Sequence, residues 1–250
     1  MKRLLIAEYL KTRRRYVLVC SLCIIALQIA WMLAGNYDEE ALRDGWMMFL
    51  YQLPLINAIF VPLFCAVVAS RLCDIEHKGL MLKQLCVCAP KGALYDAKLL
   101  YGTAHVVLAL CVQFAAVYLF GIIRGFAGEF PIRLYALYAL FTIVVSLGTY
   151  LLQHILSLLI KNQTIPFIVG AAGTFIGLFS MFLPQLPWLR KLFIWGYYGV
   201  FMFIGNDWDS VTRTNHFYYI EIDWLAFAVL LAALALMYWI GRTLFCKKEV

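Results

Sequence analysis

Six long apolar segments constrain the fold of this sequence more than any other feature. They cover residues 16–33, 46–70, 99–123, 134–160, 164–183 and 224–240. A helix needs about 20 predominantly apolar residues to cross the hydrocarbon core of a bilayer. Charged residues make up only 14% of the 250 residues, against about 25% in soluble domains. The sequence therefore predicts an all-α integral membrane protein with six transmembrane helices in a single domain, residues 1–250.

The first apolar segment follows a basic stretch that includes Lys11 and Arg13, as the apolar part of a signal peptide would. It lacks a cleavage site with small residues at two alternate positions. We therefore expect it to remain in the protein as the first span.

The distribution of basic residues predicts the orientation. Of the 21 Lys and Arg residues, 15 fall on the side that carries both termini, residues 71–98 and Lys161, and six fall on the other side. Cytoplasmic loops are enriched in Lys and Arg, so we expect both termini in the cytoplasm. The net charge of +7 is divided among several segments. It is therefore interpreted as a topology signal, and no nucleic-acid partner is expected.

Residues 1–15 have the pattern of an amphipathic helix. Leu5, Ile6, Tyr9 and Leu10 share one face, and Glu8, Lys11, Thr12 and Arg15 share the other. This pattern predicts an interfacial helix whose basic residues could hold anionic membrane lipids. The alternative is an ordinary basic flank of the first span.

The segment between the second and third spans, residues 71–98, is predicted to be cytoplasmic. Its apolar residues at 80–82, 85 and 87 are followed by Pro90, which indicates a short amphipathic helix that ends before the proline. Such a helix offers a surface on which another protein could dock. The alternative is a solvated connection.

The other long connection, residues 184–223, is predicted to be external. Its apolar stretch 193–205 contains Gly196 and Gly199 and is too short to cross the bilayer. We expect a re-entrant or interfacial segment there, with most of the surrounding Trp and Tyr side chains at the membrane interface.

Polar side chains inside the predicted spans are His105, Gln113, Gln153 and His154. No carboxylate accompanies them, so we expect structural hydrogen bonds between helices rather than a proton relay. The two histidines lie at similar depths and could share a layer of the bundle. In the fifth span, Gly170, Gly173 and Gly177 form a stripe of small residues that would let another helix approach closely.

Several catalytic motifs are absent from the sequence. It has no phosphate-binding loop of the Gly-x-x-x-x-Gly-Lys-Ser/Thr type, no His-Glu-x-x-His and no Gly-x-Ser-x-Gly. We therefore expect no catalytic, metal or cofactor site in this chain, and no ATP hydrolysis through a phosphate loop.

Three stretches resemble the membrane permeases of lantibiotic-immunity and bacitracin-type ABC exporters of Gram-positive bacteria. They are AEYLKTRRR (7–15), DIEHKGLMLKQLCVCAPKGALYDAKLL (74–100) and FLPQLPWLRKLFIWGYY (182–198). The resemblance implies a bacterial plasma-membrane subunit that pairs with a second permease chain. It also implies a separate cytoplasmic ATP-binding subunit that carries the ATP and Mg²⁺.

By the same resemblance, the amphipathic part of residues 71–98 would be the coupling helix that contacts the ATPase. Its candidate contact residues are Glu76, His77, Leu80, Met81, Lys83, Gln84 and Leu85. Residues 1–15 would be the connecting helix at the interface. The expected cargo is a lantibiotic or a similar amphipathic antimicrobial peptide. The alternatives are a permease for a lipid-linked precursor, a drug or sodium, and a membrane sensor that transports nothing.

Overall fold

A computed structural model describes residues 1–13, 16–35, 37–78, 81–183, 185–209 and 214–248, apart from the side chains of Leu18 and Glu40. This part of the chain is mostly helical. Its elements, in chain order, are α1 (Lys2–Thr12), α2 (Val17–Leu33), α3 (Glu39–Arg43), α4 (Gly45–His77), α5 (Met81–Cys88), α6 (Lys91–Arg124), α7 (Ile132–Leu159), α8 (Thr164–Met181), α9 (Leu189–Leu192), a 3₁₀ turn (Ile194–Gly196), α10 (Tyr197–Val200), β1 (Ile204–Asp209), β2 (Thr214–Tyr219) and α11 (Trp224–Lys247).

Helix α4 lies at the centre of the bundle and packs against α2, α6, α7 and α8. Its side chains Phe49, Leu53 and Leu72 are completely buried. Pro54 and Pro62 lie inside this helix, and each removes a backbone donor. Membrane helices tolerate such prolines because neighbouring helices and local adjustments satisfy the freed backbone groups.

Five of the described helices are long and apolar enough to cross a membrane: α4, α6, α7, α8 and α11. Helix α2 contains 17 residues, which span about 25 Å at about 1.5 Å per residue. The hydrocarbon core is about 30 Å thick. Helix α2 packs against α4 and α6 as part of the bundle. The prediction of a multi-pass helical membrane protein is confirmed, and a sixth span formed by α2 stays a prediction.

The structure corrects the predicted bounds of the connection at residues 71–98. Helix α4 continues to His77 and α6 begins at Lys91, so only residues 78–90 join them, with α5 inside this connection. Burial of Ile75 and Tyr95 stabilises the two extensions. Helix α11 likewise continues beyond the predicted end at residue 240, to Lys247.

The segment 184–223 departs from the all-α prediction. It contains α9, the 3₁₀ turn, α10 and an antiparallel hairpin in which Ile204 of β1 lies opposite Tyr219 of β2. Asp223 then caps α11, because its Oδ1 accepts a hydrogen bond from the Ala226 amide at 2.8 Å. The pKa of the Asp223 carboxyl is lowered, chiefly because Lys191 donates a hydrogen bond to it.

Close helix packing at one point depends on a glycine. A Cβ atom added at Gly102 of α6 would lie 1.7 Å from the hydroxyl oxygen of Tyr150 on α7. The Tyr150 ring is completely buried and cannot move aside without displacing its neighbours. Only glycine therefore lets α6 and α7 approach this closely.

We expect Gly102→Ala to lower the free energy of unfolding by about 1–3 kcal/mol, although alanine has the better helix propensity, because the added methyl group overpacks the site. Ala104→Val is the control, since Ala104 is exposed on the same helix. Thermal unfolding of the detergent-solubilised protein measures both. A Gly102→Ala protein as stable as the parent would contradict the packing described above.

Candidate functional site

Four charged side chains form a buried cluster where α1, α4 and α6 meet. The Nζ atom of Lys98 lies 2.7 Å from Oε2 of Glu8 and 3.0 Å from Oε1 of Glu76. The Nζ atom of Lys11 lies 2.8 Å from the same Glu76 oxygen and also contacts Glu8. Lys98 donates a further hydrogen bond to the Leu72 carbonyl oxygen at 3.0 Å. We call Glu8, Lys11, Glu76 and Lys98 the charge cluster.

The charge cluster is electrically balanced, with two carboxylates and two ammonium groups. Lys98, Glu76 and Glu8 are 2%, 3% and 4% exposed. A charge at such a site is costly unless it is paired and hydrogen-bonded. Each member contacts at least two others or a backbone carbonyl, so the cluster holds the three helices in one arrangement.

The charge cluster shows which side of α1 faces the bundle. Glu8 and Thr12 are buried, whereas Ile6, Tyr9 and Leu10 are about half exposed. The polar face of α1 therefore packs on the protein and the apolar face points away from it. An apolar face directed outward is suited to lipid. The sequence pattern identified both faces but not their directions.

The structure corrects one residue of the predicted ATPase contact. Glu76 was expected at the docking surface, but it is buried and occupied by Lys11 and Lys98. A second candidate, His77, is half-buried, and its Nε2 lies 2.8 Å from the Ser157 carbonyl oxygen on α7.

Helix α5 places the remaining predicted contact residues in different surroundings. Lys83 and Gln84 are exposed, whereas Met81 and Leu85 are half-buried. Leu82 is buried against the ends of α4 and α6, and Val87 is 88% exposed. Leu80 lies outside the described residues. The accessible part of this helix is therefore the surface formed by Lys83, Gln84, Val87 and Cys88.

Inside the bundle, four helices meet at a buried network that we call the amide node. The Oδ1 atom of Asn57 on α4 accepts hydrogen bonds from Gln28 of α2 at 2.8 Å and Gln113 of α6 at 2.7 Å. The Nδ2 group of Asn57 donates to the hydroxyl of Tyr138 on α7 at 3.0 Å. Gln113 was among the predicted polar residues of the spans, but Asn57, which connects all the others, was not.

The two predicted intramembrane histidines lie in different surroundings. His105 is half-buried, and its Nδ1 donates to the Tyr101 carbonyl oxygen one turn earlier, at 3.0 Å. His154 is fully buried between the rings of Tyr95 and Tyr150, with ring centroids 4.9 and 5.8 Å away. Neither nitrogen of His154 forms a hydrogen bond of normal geometry with the described residues. A hydrogen bond from His154 to a neighbouring helix stays a prediction.

The glycine stripe of α8 accommodates three neighbours. A Cβ at Gly170 would lie 2.7 Å from the side-chain amide of Gln153 on α7 and 2.8 Å from Ala66 Cβ of α4. Cβ atoms at Gly173 and Gly177 would instead collide with Trp195, at 2.2 and 2.7 Å. Gln153 is completely buried, and in the amide orientation that satisfies both of its ends it bonds the backbone of α8 at Pro166 and Gly170.

Two adjoining cavities lie near the end of the bundle opposite the charge cluster. The larger, of about 530 Å³, lies between α2 and α4 and is lined largely by apolar and aromatic side chains, including Trp31, Tyr37 and Leu55. The smaller is lined by Asp38 and Asp44 together with Trp208 and Phe217 of the hairpin. Met48 lines both. We call them the α2–α4 cavity and the acidic pocket.

Residues 4–177 match the model of a family described as ABC-2 family transporter protein. The chain belongs to the ABC-2 transporter family. The match begins within α1 and ends within α8, so it includes the charge cluster, α5 and the amide node. A comparison with curated proteins found no significant match. As an ABC-2 family member, the chain is a membrane subunit of an ABC transporter, and the family implies an ATP-binding partner.

We expect Lys98→Met to destabilise this ABC-2 subunit by about 3–5 kcal/mol, because it leaves two buried carboxylates with only one ammonium group. The double variant Glu76→Gln/Lys98→Met restores the balance of charges and should recover part of that loss. Thermal unfolding in detergent measures both.

Arg242→Met is the control for Lys98→Met. It removes an ion pair with Asp96 that is largely exposed to solvent, and we expect little change in stability. A double variant no more stable than Lys98→Met would show that charge balance does not stabilise the cluster.

Proposed function

We propose that this chain is the permease of an ATP-driven exporter in a bacterial plasma membrane, that α2 forms the sixth span, and that both termini lie in the cytoplasm. The excess of Lys and Arg on the side of α1, α5 and the C-terminus supports this orientation. The family match, which implies an ATP-binding partner, is the observation that carries the proposal.

The ATP-binding subunit would dock on α5, as the resemblance in residues 74–100 implies. Lys83, Gln84 and Val87 supply the exposed contact surface, and buried Leu82 fixes the helix to α4 and α6. A displacement of α5 would act directly on the ends of α4 and α6. The charge cluster links those same ends to α1, so all three helices would respond together.

Placing negative charges on the exposed surface of α5 should release the ATPase. We expect Lys83→Glu/Val87→Asp to lose most of the ATP-binding protein that co-purifies with the tagged parent chain from native membranes, because the change places charge in the contact. Quantitative mass spectrometry of the purified complex measures the ratio of the two proteins.

The matched control is Lys161→Glu, another charge reversal at an exposed position, in the connection between α7 and α8. It should leave the ratio unchanged. Undiminished ATPase in the Lys83→Glu/Val87→Asp complex would remove α5 as the docking element.

An amphipathic, cationic peptide is the cargo that the far end of the bundle fits best. The α2–α4 cavity offers an apolar, aromatic lining and the acidic pocket beside it offers the Asp38 carboxylate, whereas Asp44 is paired with Arg43. Apolar side chains of a peptide would enter the first while its basic groups face the second. These features support a lantibiotic or a similar antimicrobial peptide, taken from the outer surface of the membrane.

Expression of the chain with its ATP-binding partner in a sensitive host should raise the inhibitory concentration of a lantibiotic. Trp31→Ala and Asp38→Asn should each reduce that protection, since they alter the α2–α4 cavity and the acidic pocket. Leu119→Ala, on an exposed face of α6 outside both cavities, should preserve it.

The same assay separates the alternative cargoes. Protection against bacitracin alone would indicate a lipid-linked precursor, and protection against salt alone would indicate sodium. Protection against none of the three would contradict peptide export.

A second permease chain would complete the exporter. Most of α11 is exposed, including Leu225, Trp239 and Leu244, so this helix offers apolar area to lipid or to a partner chain.

The segment 193–205 would enter the membrane from outside, a placement supported by the contact of Trp195 with Gly173, near the middle of α8.

A further inference from the structure

A separate cavity of about 380 Å³ lies between the end of α1 and the start of α2, beside α6. Its lining includes Tyr9 and Thr12 of α1 and Tyr101 of α6. The hydroxyls of Thr12 and Tyr101 lie 2.8 Å apart and are hydrogen-bonded. This contact joins α1 to α6 at the wall of the cavity.

Arg13 is the cationic side chain that lines this junction cavity. The Arg13 side chain is exposed and forms no ion pair with the residues that the structure describes. His105 also lines the cavity, but its Nδ1 donates to the Tyr101 carbonyl oxygen, so Nε2 of the neutral imidazole is an acceptor and does not bind an anion. A guanidinium group matches the geometry of a phosphate and can bind two of its oxygens at once.

The nearest acid of α1 is not available to neutralise Arg13. Glu8 is bound by Lys11 and Lys98 within the charge cluster. The Glu8 carboxylate is thus bound in the protein interior, whereas the Arg13 guanidinium group lies at the cavity.

Backbone strain marks the same place. Tyr16 lines the cavity, and its backbone angles, φ 55° and ψ 25°, lie in the left-handed region. Among the residues that the structure describes, it is the only one other than glycine with a positive φ. That conformation costs about 1–2 kcal/mol for an L-residue. Such strain persists where the surrounding structure over-determines it, and it is concentrated at binding sites.

An apolar surface continues from the cavity along α2 and α6. Val19 lines the cavity and is half exposed, and Leu22 lies one turn further along α2 with a similar exposure. Leu108 and Val112 are exposed at one and two turns beyond His105 on α6. A ligand with an anionic head group and a hydrocarbon chain would match both the basic cavity and the apolar surface beyond it. A soluble phosphate would match only the basic cavity.

We propose that the junction cavity binds an anionic phospholipid of the cytoplasmic leaflet, with its phosphate at Arg13 and an acyl chain along Val19, Leu22 and Leu108. The lipid would join α1 to the first span. This inference shares the orientation proposed above but involves neither cargo nor ATPase, so its failure would leave the export proposal standing.

The test is lipid binding by the full-length chain, purified in a mild detergent and titrated with phosphatidylglycerol while thermal unfolding is followed. Phosphatidylglycerol should raise the unfolding temperature with a saturable dependence. Phosphatidylcholine, sn-glycerol 3-phosphate and inorganic phosphate should have no comparable effect. A similar rise with either soluble phosphate would overturn the lipid assignment, and a similar rise with phosphatidylcholine would overturn the role of the anionic charge.

Two variants test the site itself. Arg13→Gln should weaken the apparent affinity for phosphatidylglycerol by more than about tenfold, since it removes charge-assisted hydrogen bonds. Its control is Arg3→Gln, an equal loss of charge at an exposed position of the same helix, with a cost of no more than about fivefold.

Val19→Trp fills the cavity without altering charge and should also abolish the saturable shift. Equal losses in Arg13→Gln and Arg3→Gln would indicate general attraction to an anionic surface and overturn a specific site. Full binding by Val19→Trp would do the same.

Discussion

The ammonium group of Lys98 is buried, so its charge must be balanced by carboxylates of the protein. This requirement determines how α1, α4 and α6 are assembled around it. The two carboxylates that surround it come from helices far apart in sequence, Glu8 on α1 and Glu76 on α4. A buried charge contributes little net stability, but its loss of a partner is costly. Specificity of arrangement is therefore the main contribution of the charge cluster: α1, α4 and α6 fit together in one register.

The same constraint operates in the apolar interior, where amides take the place of charges. Hydrocarbon offers no hydrogen bonds, so polar groups among the spans need partners within the protein. Asn57 satisfies this requirement for three neighbours at once, and Gln153 does so between α7 and α8. Each such contact joins helices that apolar packing alone would allow to slide or rotate.

Sequence periodicity and hydropathy could predict the helices but only part of the site. Apolar segments locate α4, α6, α7, α8 and α11 because the bilayer demands length and composition, which are local properties. The faces of α1 were also readable. The burial of Glu76 could not be predicted from its own segment, because it depends on contacts with Lys98 and with Lys11 of α1, more than sixty residues earlier. The hairpin at 204–219 was missed because its aromatic residues suggested an interfacial belt.

Trp195 fills the hollow that Gly173 and Gly177 leave on α8, with its indole at Gly173 and its backbone at Gly177. Small-residue stripes of this kind commonly serve as the seam between two membrane proteins, but here the socket is already occupied from within the chain. A neighbouring subunit would therefore be excluded from that seam, and α8 presents Phe167, Phe175 and Phe179 instead. Gly173 and Gly177 therefore serve packing within the chain, and another subunit would have to contact the larger side chains on its outer surface.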